Sequence, residues 1–167
     1  MPRRSRITRA RLQKLLHYDS KTGEFHWLKC VSKSTRVGDA AGTPTGNGYR
    51  KITIEGRQYG AHQLAWLYKT GKWCSAFIDH RDRNRSNNVW TNLRRATHSQ
   101  NCANKSRHRN NRSGFKGVSR NEWGRWRASV VKNGQRHHLG YFATPQEAHD
   151  VYLAAARKLF GEFARPE

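Results

Sequence analysis

Apolar side chains in this chain come in short, separated runs whose spacing changes along its length. Leu12, Leu15 and Leu16 follow Thr8 at helical spacing, which predicts a short amphipathic helix with Thr8 as its N-cap. Residues 19–23 read as a turn and 24–28 as a short strand. Gly38, Gly42, Gly46 and Gly48 with Pro44 predict loop or tight turns over residues 33–48. Residues 49–54 and 58–61 flank Glu55, Gly56 and Arg57 as a hairpin. Residues 62–68, HQLAWLY, are apolar enough for a buried helix, although Leu64, Trp66 and Leu67 also fit a strand.

Residues 103–113, ANKSRHRNNRS, hold one apolar side chain and no acid, so they bury little and read as a basic linker or a helix tail lying along phosphates. Beyond them the period becomes that of strands. Residues 115–119, 125–131 and 136–141 predict three strands, joined by a turn at 121–124 and by Asn133-Gly134, a strong two-residue hairpin signal. Thr144, Pro145 and Glu147 then supply an N-cap, a first-turn proline and a capping-box glutamate. Ala148, Val151, Tyr152, Ala155, Ala156 and Leu159 line one face of the helix they start, and Gly161 closes it. Phe142, Tyr152 and Leu159 are expected in the core and Trp123 at the surface, with Trp126 fitting either place. The fold class this predicts is α+β.

Composition narrows the partners. The 167 residues are only 35% hydrophobic and carry a formal net charge of +22, from 33 basic and 11 acidic residues. Two or three modest cores fit this better than one large one. So large an excess costs stability by self-repulsion, which a polyanion relieves. Nucleic acid leads, with an anionic membrane surface second. No apolar run approaches the roughly 20 residues of a membrane span, and MPRRSRITRARL lacks the apolar stretch of a secretory signal. An Arg-rich transit peptide is the other reading of that start. Cys30, Cys74 and Cys102 form no CxxC pair and fit neither a disulfide framework nor a thiolate zinc site, so a cytoplasmic location is expected.

The chemistry concentrates in residues 78–101, IDHRDRNRSNNVWTNLRRATHSQN. Asp79 and His80 place a hard-metal ligand beside a general base. Asn92 and Asn101 follow, and Arg81, Arg83, Arg85, Arg94 and Arg95 crowd the segment with few acids to pair them, so phosphate contact is favoured over a merely solvated surface. Together they point to metal-assisted cleavage of a phosphodiester. Asn84, Asn87 and Asn88 read as loop formers. His98 is an alternative ligand less favoured than Asn101, and His62 a core or surface residue.

The order Ile78-Asp79-His80, a polar loop, Asn92-Leu93 and then Asn101 resembles the HNH endonucleases of the ββα-metal fold, in particular the phage and intron homing branch with asparagine as the last ligand. The resemblance covers about residues 45–105. It implies strands at about 76–80 and 93–98, a helix from about 99 and one divalent ion between strand and helix. His80 would be the general base, Asp79 and Asn101 the ligands of Mg²⁺ or Mn²⁺, and Asn92 the residue that holds the His80 loop by side-chain hydrogen bonds.

Phe115-Lys116-Gly117-Val118, Trp123-Gly124-Arg125-Trp126, Leu139-Gly140-Tyr141-Phe142 and the capped helix with Glu147-Ala148 and Ala154-Ala155 resemble the APETALA2, or ethylene-response-factor, DNA-binding domain. That family lays a three-stranded antiparallel sheet in the major groove with a helix behind it. The resemblance implies DNA contacts at Lys116, Gly117, Ser119, Asn121, Trp123, Arg136 and His138. Ser119, Asn121 and His138 depart from the family's usual residues, so its recognition sequence does not transfer. Arg120, Arg125 and Arg127, in or beside strands, are expected to supply backbone contacts instead.

The expected organisation is an HNH nuclease module over 1–102, a basic linker over 103–113 and an APETALA2-like domain over 114–167. The expected function is a metal-dependent endonuclease, phage-encoded and resident in a bacterial host's cytoplasm, acting on double-stranded DNA as a monomer with no obligate protein partner. A catalytically silent DNA-binding regulator is the alternative. An RNA-binding protein is a weaker one, because neither an RNP-type nor a KH-type signature is present.

Overall fold

The computed structural model describes residues 6–108 and 110–165. Arg3 and Arg4 of the basic start and Arg109 of the linker lie outside them. The chain divides into two compact units, residues 1–95 and 96–167. Each has its own hydrophobic core, as the low apolar content requires.

The first unit opens with α1 (Arg9–Leu15), whose N-cap Thr8 accepts a hydrogen bond from the Arg11 amide. Leu16 does not continue this helix, contrary to the helical spacing. It turns extended to begin β1 (Leu16–Tyr18), which pairs antiparallel with β2 (Phe25–Trp27), so that Leu16 faces Trp27 and is fully buried. Pairing and burial here outweigh the helical period. The loop expected at 33–48 includes a short edge strand, β3 (Thr43–Pro44), joined to β4 (Arg50–Ile54) and β5 (Arg57–Gly60) in the order β3-β4-β5. The hairpin turn is Glu55-Gly56, both with positive φ. Residues 62–68 are helical within α2 (Ala61–Thr70), whose Leu64 and Leu67 are buried with Leu12, Phe25 and Ile52. Full burial stabilises by about 2 kcal/mol for each such leucine. Next come β6 (Phe77–His80) and β7 (Leu93–Ala96), a two-stranded sheet whose long connection closes with a short 3-10 turn.

The second unit begins with α3 (His98–Asn104), capped by Thr97 and Gln100 in a reciprocal box. Ala103 and Asn104 are therefore buried helix rather than linker. Strands β8 (Val118–Arg120), β9 (Trp126–Lys132) and β10 (Gln135–Phe142) form an antiparallel sheet, backed by α4 (Pro145–Phe160). Asn133 and Gly134 both adopt positive φ, as the two-residue hairpin requires. Ala148, Tyr152 and Ala156 of α4 share a core with Val118, Ala128 and Val130. Val151, expected on that face, is exposed, and the core is completed by Phe160 and Phe163 at the helix end. Gly117 passes so close to the helix that a Cβ there would lie 2.1 Å from the Tyr152 ring.

Candidate active site and a second polar sheet face

Asp79 and His80 end β6, and both are buried. The loop that follows is organised by Asp82, a residue the sequence pattern did not single out. Its carboxylate accepts from the Asn84 amide at 2.8 Å, the Asn87 side chain at 2.6 Å and the Asn92 side chain at 2.9 Å. Asn92 in turn accepts from the Asp82 amide at 3.0 Å and donates to the Asn87 carbonyl at 2.8 Å. Burial alone would raise the Asp82 pKa, but the hydrogen bonds from Asn87, Asn92 and Asn84 outweigh it and hold the carboxyl below its ordinary range. Asn92 is thus a buried brace between the start and end of the loop.

Asn88, expected to be a loop former, touches the histidine itself. Its Oδ1 lies 3.3 Å from His80 Nε2, while its Nδ2 donates to the Ser86 carbonyl at 3.0 Å. That second bond orients the Asn88 amide so that its oxygen faces Nε2. The Asn88 backbone is clamped as well. Tyr18 Oη donates to its carbonyl at 2.7 Å, and Gly23 approaches so closely that a Cβ would meet Asn88 C and Val89 N at 2.4 Å. The turn at residues 19–23 therefore supports the loop from behind. Nothing in the 78–101 pattern signals this, because the supporting residues lie some 70 positions away in the chain.

Two rings pack against His80. The His62 and His80 centroids are 5.4 Å apart, nearly edge to face, and Tyr49 packs on both at 5.1 and 6.0 Å. Arg85 lies over Tyr49 at 5.0 Å and donates to the Asn47 carbonyl at 2.9 Å. Burial pushes the His80 pKa down, against the opposing pull of Asn88, Asp82 and Asp79, so the imidazole is held neutral and able to accept a proton. Burial, helped by His80, lowers the His62 pKa to about 4. With its folded-state pKa depressed, His62 contributes stability that is present above pH 6.5 and lost as pH falls towards 4. Conformational stability measured by urea unfolding is expected to be roughly 2 kcal/mol lower at pH 5 than at pH 7 from this group. His62→Gln should flatten the dependence; an unchanged slope would show that His62 is not buried neutral.

Arg94 requires a correction. Expected at a phosphate, it is buried, and its Nε donates to Asp79 Oδ2 at 2.8 Å in an ion pair whose side chains are 6% and 5% exposed. Its strand position turns it inward, alongside Leu93 and Ala96. Arg81, Arg83, Arg85 and Arg95 are exposed. Asn101 lies in the second turn of α3, in the second unit, partly buried. His98, the first residue of that helix, is exposed with its ring near Cys102 Sγ at 3.8 Å.

In the second unit, cross-strand register defines an outer sheet face. Ser119 pairs with Arg127 and Tyr141 with Arg127, while His138 pairs with Ser129 and Arg136 with Val131. A bulge at Leu139 puts both His138 and Tyr141 on this face, with ring centroids 4.6 Å apart. Regular alternation would send Tyr141 inward, so the sequence pattern missed it. Trp123, at the turn tip, is 76% exposed. Arg120 lies over Trp126 at 5.6 Å, and Arg125 donates to the Tyr141 carbonyl at 3.3 Å. Asn121 Oδ1 accepts from the Arg125 amide at 2.8 Å and so shapes the turn. Lys116 is the second correction. Its Nζ donates to the Ala103 and Lys105 carbonyls at the end of α3, so its charge completes a helix C-terminus rather than facing outward. Gly117, packed on Tyr152, likewise serves the core.

Comparison with known families decides what these units are. Residues 59–103 match the HNH endonuclease family, and residues 113–162 match the AP2 domain family. The chain joins an HNH endonuclease domain to an AP2 domain. An uncharacterized HNH endonuclease of Acanthamoeba polyphaga mimivirus is 43% identical over 90 residues, covering 54% of this chain and 46% of that protein. Two Arabidopsis thaliana proteins match the AP2 part. The dehydration-responsive element-binding protein 2A is 41% identical over 58 residues, 34% of this chain and 17% of its own. An ethylene-responsive transcription factor is 48% identical over 54 residues, 31% of this chain and 21% of its own. Among solved structures, the HNH homing endonuclease I-HmuI aligns with a TM-score of 0.41 and 26% identity, over 54% of this chain and 51% of that one. The chain thus spans about half or less of the length of each relative. The HNH match takes in Asp79, His80, Asn92 and Asn101, and the AP2 match takes in all of β8, β9, β10 and α4. Among the described residues no helix is long and apolar enough to cross a membrane.

Proposed function

We propose that this protein is a divalent-metal-dependent DNA endonuclease, in which the HNH domain hydrolyses a phosphodiester of a duplex held by the AP2 sheet. The observation that carries this reading is the setting of His80. It is a buried imidazole whose Nε2 faces the Asn88 amide oxygen, next in sequence to the Asp79 carboxylate. Such a group takes a proton from an attacking water at neutral pH. Asn92 and Asp82 keep the loop that carries Asn88 in place, so their role is positional.

The residues present fit a hard metal ion by the chemistry of their donors. Asp79 offers a carboxylate oxygen, a donor that suits Mg²⁺ or Mn²⁺ better than a soft ion. When bound, the ion supplies Lewis-acid polarisation of the phosphate and charge stabilisation at the leaving 3′-oxygen. Exposed Arg81, Arg83, Arg85 and Arg95 border the HNH loop and β7 and attract the backbone. On the AP2 sheet, Ser119, Arg127, His138, Arg136 and Tyr141 face one way and suit a groove. Arg120, Asn121, Trp123 and Arg125 rim it, and residues 104–112 connect the two domains.

The Asp79–Arg94 pair favours a second reading, in which Asp79 is a structural carboxylate and the domain binds DNA without cutting it. Supercoiled plasmid separates the two. Nicking or linearisation that needs Mg²⁺ or Mn²⁺ and stops with EDTA is the expected result. Tight plasmid binding with no cleavage in either metal would establish the silent alternative.

A further inference from the structure

We propose that the HNH-containing unit carries a second DNA contact, a basic cleft at the turn end of the β4–β5 hairpin where Arg6 and Arg57 hold a backbone phosphate. The inference rests on the nuclease reading above and extends the path of its substrate away from His80. The cleft has a volume of about 590 Å³ and is lined by Arg6, Thr8, Arg11, Glu55, Arg57 and Tyr59, among others.

Its wall is fixed by two aromatic polar tips. The Ile7 amide donates to Tyr59 Oη at 3.2 Å, and Trp73 Nε1 donates to the Ile7 carbonyl at 3.1 Å. The Ile7 side chain is itself buried, so the N-terminal arm is pinned where it meets the hairpin. Tyr59 and Trp73 stack on each other, with centroids 5.6 Å apart and planes at 26°. A guanidinium lies over each ring, Arg6 at 5.4 Å from the Trp73 centroid and Arg57 at 5.6 Å from that of Tyr59. Stacking of this kind orders the guanidinium before it meets an anion and lowers the entropy cost of the contact.

The charge balance selects an anionic ligand. Among the described residues that line it, Glu55 is the one acid, and Arg11 Nε and Nη2 reach its Oε1 at 2.8 and 2.6 Å. Three arginines against one glutamate leave the cleft with an excess of positive charge. Nothing in that lining measures out a particular small molecule, whereas the hairpin itself leads to the proposed catalytic end. Tyr49, packed on His80, and Glu55, at the turn, flank β4 on its two sides. The six residue steps between them span about 20 Å at the usual rise. Phosphates on one strand recur about every 3.4 Å along the duplex axis, so a backbone running along the hairpin would pass about six phosphates over that length. Exposed Lys51 lies on β4 between the two ends.

The test is made on the full chain in a His80→Ala background, which allows binding to be followed without cleavage. Affinity for a fluorescent duplex is measured across about 50–200 mM salt for the parent, for the Arg6→Gln/Arg57→Gln variant and for the Arg6→Lys/Arg57→Lys variant. Loss of one or two phosphate contacts is expected to reduce the slope of log affinity against log salt by about 1–2 in the glutamine variant. The lysine variant should recover most of that slope, because it keeps the charge. A glutamine variant with the parental slope overturns the proposal, and so does a lysine variant that loses as much as the glutamine one. Nicking by the unaltered protein is read separately on plasmid, so failure to cut sinks the nuclease reading while the slope still judges the cleft.

Discussion

Metal-dependent nicking is expected to fall by about 10²–10⁴-fold when His80 is replaced by alanine, the usual contribution of a positioned general base. The size of the effect follows from the surroundings. No other described residue among the buried groups of the β6 strand end has a neutral, proton-accepting nitrogen; Asp79 is committed to Arg94, and Asn88 and Asn92 do not titrate. His62 is near, but with a pKa of about 4 it is a poor base and its ring packs edge-on against His80. Duplex affinity of His80→Ala should stay close to the parent's, since the buried imidazole contributes little to a phosphate surface built from exposed arginines. The measurement is the initial rate of supercoiled-plasmid conversion at saturating metal, with affinity taken separately from salt titration. A rate within tenfold of the parent would remove His80 from the role of base.

Arg94→Met is expected to destabilise the first unit by about 3–5 kcal/mol, because it strands a buried carboxylate. The two side chains are almost equally hidden, and their hydrogen bond is short, at 2.8 Å. Most of the cost comes from leaving Asp79 without its cationic partner rather than from the attraction the pair provides. A double variant separates these terms. Asp79→Asn combined with Arg94→Met should cost clearly less than Arg94→Met alone, since no charge then remains buried. Urea midpoints followed by tryptophan fluorescence provide the comparison. A single-variant cost below about 1 kcal/mol would mean that the pair behaves as a surface bridge. The same pair bears on function: if Arg94 positions Asp79 for metal, its loss will weaken Mn²⁺ binding as well as stability, whereas a purely structural pair predicts a loss of stability alone.

Much of the fold was legible because local signals and tertiary burial agree. The α4 cap of Thr144, Pro145 and Glu147, the Asn133-Gly134 turn and the Glu55-Gly56 hairpin each depend on backbone preferences of a few adjacent residues. Leu16 was misread because its helical spacing is local, whereas its pairing with Trp27 is not. Tyr141 was missed because the bulge at Leu139 changes which face a residue takes, and a bulge leaves no period-two signature.

The sequence by itself determined the two domain types and singled out Asp79, His80, Asn92 and Asn101 as the candidate site, since a motif is a matter of residue identity and spacing. Tertiary structure alone decided which of the surrounding side chains reach the surface. It turned Arg94 inward onto Asp79 and spent Lys116 on the carbonyls ending α3, while leaving Arg81, Arg83 and Arg85 at the surface. It also chose Asn88 from several similar asparagines to face His80, through a turn and a tyrosine far away in the chain. Charge and hydrogen-bonding capacity are properties of a residue, but whether they are spent inside the molecule depends on what the fold packs beside them.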